Sequence, residues 1–166
     1  MKKTFILKAV TCCAAACSLL TGTSYAADND TATVTMEISA INEIAVSGNP
    51  SALLINSASL GSGPQSVNDT TTSYSLTTNE TTQKITGSLD SDMPAETTLT
   101  IDLLAPSGGV SAGPTIMTSS AQDLVTSIET VNQAGIQISY TFGATSDAGI
   151  IASFQRVVTY TLTTEP

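Results

Sequence analysis

Few side chains in this sequence could carry out chemistry. The chain has no histidine, and its three cysteines, Cys12, Cys13 and Cys17, all lie near the N-terminus. Most nucleophile–base pairs rely on histidine, and zinc sites rely on histidine or cysteine. Beyond residue 26, a serine–lysine pair would have to use Lys84, the only lysine there. Because Lys84 begins an alternating strand pattern, we interpret it as a solvated or edge-guarding lysine.

Carboxylates are the remaining candidates for catalysis or metal binding. Asp90 and Asp92 flank Ser91, which is not the Asp-Thr/Ser-Gly turn of an aspartic protease. The pairs Asp28 with Asp30 and Asp90 with Asp92 could offer oxygen ligands to calcium, but neither has the glycine and closing glutamate of a calcium loop. We therefore expect no enzyme activity and no cofactor, and interpret these carboxylates as parts of solvated turns. Calcium binding at the turns stays open as an alternative.

The first 26 residues have the pattern of a secretory signal. Lys2 and Lys3 precede an apolar stretch, and Ser24-Tyr25-Ala26 places small residues at the two cleavage-defining positions. We expect export and cleavage after Ala26. Lipid attachment at Cys17, which follows three alanines, is the alternative.

After this cleavage, the chain would be strongly acidic. Only Lys84 and Arg156 would remain against 14 acidic residues. Nucleic-acid binding needs clustered lysine and arginine, so we expect no nucleic-acid partner. No stretch outside the signal approaches the roughly 18 apolar residues of a membrane helix, so we expect no membrane insertion.

Apolar residues alternate with threonine and serine along most of the remaining chain. Period two is typical of a strand with one buried and one solvated face. With the intervening glycine- and proline-rich turns, it predicts about seven to nine strands in an immunoglobulin-like antiparallel β-sandwich. The strongest runs lie at 31–38, 41–46, 74–76, 85–89, 99–103, 136–142 and 158–162, and weaker ones at 52–55 and 124–128. Residues 120–124 fit either a short helical turn or a strand.

The most regular run follows the polar lead Ala27-Asp28-Asn29-Asp30. We assign residues 27–40 to an N-terminal extension or first strand, and residues 41–166 to the sandwich domain. From this run alone, the simpler interpretation is that it forms the first strand of the chain's own domain. The alternative is that the run fills the groove of another molecule as a donor strand. One face of the run carries Ala32, Val34, Met36 and Ile38, and the other carries Thr31, Thr33, Thr35 and Glu37.

Several short sequences in this order are similar to those of a known family. The chain resembles the cysteine-free major subunits of alpha-type chaperone–usher fimbriae, the colonisation-factor pilins. The resemblance covers most of the chain after residue 26. It is carried by Thr31–Ile38, Ile41–Val46, Tyr74–Asn79 with Thr81–Ile85, Thr115–Ala121 and the closing strand Val157–Leu162.

The resemblance implies an incomplete immunoglobulin-like fold whose missing strand comes from a neighbouring subunit. Ala32, Val34, Met36 and Ile38 would then be donor residues in a homopolymer. Val158, Tyr160 and Leu162 would lie on the groove-side strand. A periplasmic chaperone and an outer-membrane usher would be partners, and the chain would pass through the periplasm to the cell surface.

These observations lead to two functional hypotheses. The first is a structural subunit of a secreted surface fibre, a pilus or fimbria, that assembles by donor-strand exchange and serves cell adhesion. The alternative is a monomeric secreted β-sandwich that binds carbohydrate or a surface protein. It would use the loops at Asp90–Pro94 and Gly143–Gly149.

Overall fold

The computed structural model of this chain describes residues 30–58 and 60–166. Its contacts divide the chain into two units, Met1–Glu37 and Ile38–Pro166. In the first unit, the described residues 30–37 form no regular secondary structure, and all of them are exposed. The predicted signal, residues 1–26, and Asp28 lie outside the described residues.

The second unit is built from two antiparallel sheets. The strands are β1 Asn42–Val46, β2 Val67–Asp69, β3 Ser73–Thr78, β4 Gln83–Leu89, β5 Thr97–Leu103, β6 Val110–Ser111, β7 Thr115–Ile116, β8 Gln122–Ile128, β9 Val131–Ala144 and β10 Val158–Thr164. One sheet has the strand order β1-β3-β9-β5-β7, with β2 also pairing with β9, and the other has the order β10-β4-β8-β6. A single turn of 3₁₀ helix, Ser146–Ala148, follows β9.

This strand order confirms the predicted all-β antiparallel sandwich. An immunoglobulin domain has strands A-B-E-D in one sheet and C-F-G in the other. In spatial order, β1, β3, β9 and β5 correspond to A-B-E-D, and β4 with β10 corresponds to C-F. The seven-residue strand β8, which pairs with β4, and the short strands β2, β6 and β7 are additions to this plan.

The interior of the sandwich comes from the apolar side of each alternating strand. In β4, burial alternates at every residue: Ile85 and Leu89 are buried, while Thr86 and Ser88 between them are half-buried. The same alternation in β5 and β9 brings apolar side chains from both sheets into one cluster. Its buried members are Tyr74, Leu76, Ile85, Leu89, Leu99, Ile101, Leu103, Met117, Leu124, Val125, Ile128, Ile136, Ile138 and Tyr140.

Strand β9 is the longest described strand; it pairs with β3, β2 and β5, and its ladder with β3 contains a bulge. Residues 131–137 pair with β3, and residues 140–142 pair with β2. The register with β3 shifts between Tyr74 and Leu76, which oppose Ile136 and Gln133. Gly135 lies in this shift with φ of 70°, a left-handed conformation that glycine adopts without strain.

Residues 31–38 form no strand in the described chain, and their assignment to an N-terminal extension or first strand stays a prediction. Two other expectations differ from the structure. Residues 52–55 are also irregular: Leu53 packs against the core, but no described strand lies alongside to pair with this segment. Lys84 does not guard an edge, because β4 lies between β10 and β8.

The ambiguity at residues 120–124 is resolved as a strand, because β8 begins at Gln122. Strands β2, β6 and β7 were not predicted, since two or three residues are too few to display a period. No helix in the part of the chain that the structure describes is long and apolar enough to cross a membrane.

Candidate functional site

One side of the sandwich ends in two long edge strands, β1 and β10. Strand β1 pairs only with β3, and β10 pairs only with β4, among the strands described here. The two strands lie in different sheets, and their Cα atoms come within 8 Å of each other. We call this side, formed by Asn42–Val46 and Val158–Thr164, the open edge.

The hydrogen-bond pattern shows which backbone groups of β10 are free. The Asp90 N–H donates to the Val157 carbonyl at 3.0 Å, and the Glu165 N–H donates to the Thr82 carbonyl at 2.8 Å. Hydrogen-bonded pairs alternate along an antiparallel ladder, so the odd-numbered residues of β10 bond to β4. The N–H and C=O groups of Val158, Tyr160 and Leu162 therefore face the open edge.

The same reasoning applies to β1. The Ser47 N–H donates to the Ser73 carbonyl at 2.8 Å, and the Asn79 N–H donates to the Ile41 carbonyl at 3.2 Å. These bonds and the register place the odd-numbered residues of β1 against β3. The backbone groups of residues 42, 44 and 46 point away from the sheet, and both strands of the open edge present unpaired polar backbone.

The apolar side chains at the open edge are incompletely covered. Val158, Tyr160 and Leu162 pack against the core but are only half-buried. Ile85, which lies opposite Leu162 on the neighbouring strand, is 0% exposed. Ile44 of β1 is also half-buried. A strand placed beside β10 would cover these side chains as well as the free backbone groups.

Tyr160 links the open edge to the core of the sandwich. Its hydroxyl lies 2.8 Å from the hydroxyl of Tyr140 on the opposite sheet, and the two are hydrogen-bonded. Burial raises the pKa of Tyr160 and of Tyr140 above the ordinary range of tyrosine. Both rings are therefore neutral at physiological pH and tie the two sheets together behind the open edge.

The opposite side of the sandwich is protected against pairing. It ends in β6 and β7, two residues each, which are joined by a turn containing Gly113 and Pro114. The Ser111 hydroxyl donates to the Leu103 carbonyl at 2.6 Å, which satisfies one backbone acceptor at this side of β5. Short edge strands and proline are the usual means of preventing edge-to-edge association. The contrast distinguishes the open edge, formed by β1 and β10, as the side left available for a further strand.

The predicted donor residues are exposed. Val34, Met36 and Ile38 are 71%, 85% and 87% exposed, and Ala32 is exposed as well. Large apolar side chains exposed in a row are unusual for a soluble segment. The predicted groove-side residues, Val158, Tyr160 and Leu162, all lie on β10 at the open edge. The assignment of both sets to donor and groove stays a prediction.

The carboxylates considered in the sequence hold loops in place. Asp92 accepts a hydrogen bond from the Ser119 N–H at 2.7 Å, which lowers the pKa of that carboxyl. Asp90 accepts from the N–H groups of Ser91 at 3.0 Å and Val157 at 3.1 Å. In residues 30–58 and 60–166, no group of three or more acidic side chains is placed to hold a metal ion.

Lys84 is engaged on the outer face of its sheet. Its Nζ lies 2.9 Å from Asp123 Oδ1 on β8, with the lysine side chain 18% exposed. This ion pair joins two neighbouring strands. The only lysine beyond residue 26 is therefore committed to a cross-strand contact.

The two loops of the alternative hypothesis come to the same end of the molecule. Thr97 and Ala144 are paired across β5 and β9, and the Thr145 hydroxyl donates to Glu96 at 2.8 Å. Arg156 donates to the Asp92 carbonyl and lies over the Phe154 ring, 5.0 Å from its centroid. Neither loop lines the cavity at Asn79 and Thr164 or the cavity at Ile44 and Leu76.

The polar cluster at one end of the open edge was not predicted from the sequence. A cavity there is lined by Asn79, Glu80, Thr81, Gln83 and Thr164. The Asn79 side chain accepts from the Ile41 N–H at 2.7 Å and donates to the Ser39 carbonyl at 2.9 Å. These contacts depend on the register of β1 against β3, which no local pattern reveals.

No family model, no curated protein and no solved structure matches this chain. The open edge and the exposed strip at residues 31–38 are therefore the features of this chain that bear on its function.

Proposed function

We propose that this protein is a structural subunit of a surface fibre that assembles by donor-strand exchange. The observation that carries the proposal is the open edge: β10 has one unpaired side and half-buried apolar side chains where an immunoglobulin sandwich would have strand G. Residues 31–38 of a second copy would supply that strand. This proposal follows the resemblance noted in the sequence.

The donor segment suits the site in length and in chemistry. It has eight residues and β10 has seven, so the two strands would overlap over the whole edge at about 3.3 Å per residue. Ala32, Val34, Met36 and Ile38 would enter the sandwich beside Tyr160 and the core. The threonines and Glu37 would stay in water.

Two effects would stabilise such a joint. Each methylene moved out of water contributes about 0.8 kcal/mol, and four apolar side chains would be buried together. The donor backbone would also satisfy the free N–H and C=O groups of β10 in one ladder. We infer from this that assembly needs no disulfide, in keeping with the lack of cysteine beyond residue 26.

A subunit of a surface fibre must also be exported and protected before assembly. An export signal cleaved after Ala26 would deliver the chain to the periplasm. A subunit with an uncovered apolar edge needs protection before assembly, since exposed edges aggregate. A periplasmic chaperone and an outer-membrane usher would provide it, and the fibre would serve cell adhesion.

The test compares two double variants of the full chain that carry the same added charge. Val34→Asp with Met36→Asp places two carboxylates on the apolar face of the strip, where insertion would bury them unpaired. Thr33→Asp with Thr35→Asp places them on the polar face. All four positions are exposed, so neither variant should disturb the sandwich itself. The measurement is negative-stain electron microscopy of expressing cells, with immunogold against the sandwich.

The expected result is labelled filaments from the wild-type chain and from the polar-face variant, and none from the apolar-face variant. The secreted protein should be equally abundant in all three. Filaments from the apolar-face variant would contradict the proposal. Label confined to a bare cell envelope in the wild type would do so as well, and would favour the monomeric binding module.

A further inference from the structure

The residues just before β1 are fastened to the turn between β3 and β4. Strand β3 ends at Thr78, and Asn79 begins the turn. Asn79 contacts the backbone of residues 39–41 at three points. Its N–H donates to the Ile41 carbonyl, its side-chain oxygen accepts from the Ile41 N–H, and its side-chain nitrogen donates to the Ser39 carbonyl.

This arrangement extends the ladder between β1 and β3 beyond the end of β3. By register, Ile41 lies opposite Asn79, and its N–H would normally bond to the Asn79 carbonyl. The side-chain oxygen takes the place of that carbonyl as the chain turns away. The side-chain nitrogen then bonds to Ser39, two residues further along. The Ser39 carbonyl and the Ile41 N–H face the same side of the backbone, as they do in an extended strand.

Asn42 adds a second attachment at the same place. Its side-chain oxygen accepts from the Thr78 hydroxyl at 2.6 Å, and its side-chain nitrogen donates to Glu80. Ser39, Ile41 and Asn42 are thus all bonded to Thr78–Glu80. The side chains of Asn79 and Asn42 thus hold the connection between residue 38 and β1 extended along the end of β3 and the turn that follows it.

An extended connection has a consequence for where residues 31–38 can bind. Only residues 39–41 separate them from β1, so they could enter the open edge of their own molecule only through a tight turn at those residues. An extended backbone at 39–41 excludes that turn. We propose that Asn79 is a positioning residue that prevents self-complementation and so directs the strip into a second copy.

This inference rests on the proposed function and deepens it, because it explains why the strip would act between molecules. The test uses full-chain variants refolded from denaturant at one concentration. Asn79→Ala removes both side-chain bonds, and Asn132→Ala is the matched control. Asn132 is an exposed asparagine whose side chain only accepts a 3.4 Å bond from the Thr77 hydroxyl. Native mass spectrometry measures the ratio of monomer to oligomer.

The expected result is a rise of about tenfold in the monomer-to-oligomer ratio for Asn79→Ala, from the loss of two hydrogen bonds. Hydrogen exchange should show residues 31–38 protected in that monomer. A chain with Gly-Gly-Ser-Gly inserted between Ile38 and Ser39 is the positive control. It can turn before the attachment, so it should give the same protected monomer with Asn79 intact. Asn132→Ala should behave as wild type.

The outcomes separate the two proposals. Equal ratios for Asn79→Ala and wild type, with the insertion chain forming a protected monomer, would overturn the role of Asn79 and leave the proposed function standing. Failure of residues 31–38 to become protected in every chain, including the insertion chain, would overturn the proposed function. If denaturant unfolding shows that Asn79→Ala is poorly folded, Asn79→Asp is the second variant for the same measurement. It retains the acceptor for Ile41 but cannot donate to Ser39, and it should also raise the ratio.

Discussion

At the scale of single residues, the interior of this sandwich depends on tyrosines whose hydroxyl groups are buried. Tyr160 and Tyr140 are hydrogen-bonded across the two sheets, and the Tyr74 hydroxyl donates to the Leu104 carbonyl at 2.7 Å. Burial raises the pKa of all three phenols in the folded chain. Each group prefers to keep its proton when the chain is folded.

This preference predicts a loss of stability in alkali. The folded pKa values lie above the unfolded value of about 10, so the unfolded chain loses its protons first. The free energy of unfolding should be level with respect to these groups below pH 10 and fall above it, by up to about 1.4 kcal/mol per pH unit for each tyrosine. Urea unfolding at pH 8, 10 and 11 measures the slope.

Tyr160→Phe is the informative variant for this prediction. Removing one titrating group should make the decline above pH 10 shallower than in wild type, even though the variant starts from a lower stability because the Tyr140 hydroxyl loses its partner. An unchanged slope would mean that Tyr160 is not held neutral by burial.

At the scale of the elements, β10, like β1, is paired on one side only. Its even-numbered residues present unpaired backbone, and its odd-numbered residues bond to β4. Amide hydrogen exchange reports this alternation directly, because only hydrogen-bonded amides are protected.

The prediction is an alternating exchange pattern in the unassembled subunit. In the Val34→Asp/Met36→Asp chain, the amides of Tyr160 and Leu162 should exchange freely. Those of Thr161 and Thr163 should be at least about a hundredfold slower. Residue-resolved exchange by NMR is the measurement. Addition of a synthetic peptide of residues 31–38 should slow Tyr160 and Leu162 and leave Thr161 unchanged. Equal rates along β10 without peptide would show that the edge is already paired.

Individual strands show how much of the fold could be predicted from the sequence. Strands β4 and β5 were predicted because alternation of apolar and polar residues follows directly from one buried and one solvated face. Residues 31–38 have the same alternation but form no strand in the described chain. An alternating pattern favours a strand but does not identify the strand with which it would pair. Residues 52–55 are apolar through Leu53 and Leu54 yet stay irregular.

The candidate site was less predictable than the fold. Val158, Tyr160 and Leu162 were placed on one strand from their spacing and from the resemblance. That β10 is an edge strand, and that its free side faces β1, depends on sheet order. The contacts of Asn79 depend on register as well, since Ile41 and Asn79 are 38 residues apart.

At the scale of the whole molecule, the two sides of the sandwich are treated differently. One side ends in two-residue strands and a Gly113-Pro114 turn, which oppose further pairing. The other side ends in the five residues of β1 and the seven of β10. Under the proposed function, the exposed apolar strip and the open edge would be the two halves of a head-to-tail joint. A head-to-tail joint generates a filament when its rotation does not close into a ring.

Donor-strand exchange is tested most directly by a cryo-electron microscopy structure of filaments assembled by the wild-type chain. We expect residues 31–38 of each subunit to form a strand hydrogen-bonded to Tyr160 and Leu162 of the next subunit, with Val34 and Met36 inside the neighbour's sandwich. Residues 31–38 lying in the sandwich of their own subunit, or β10 left unpaired along the filament, would contradict it.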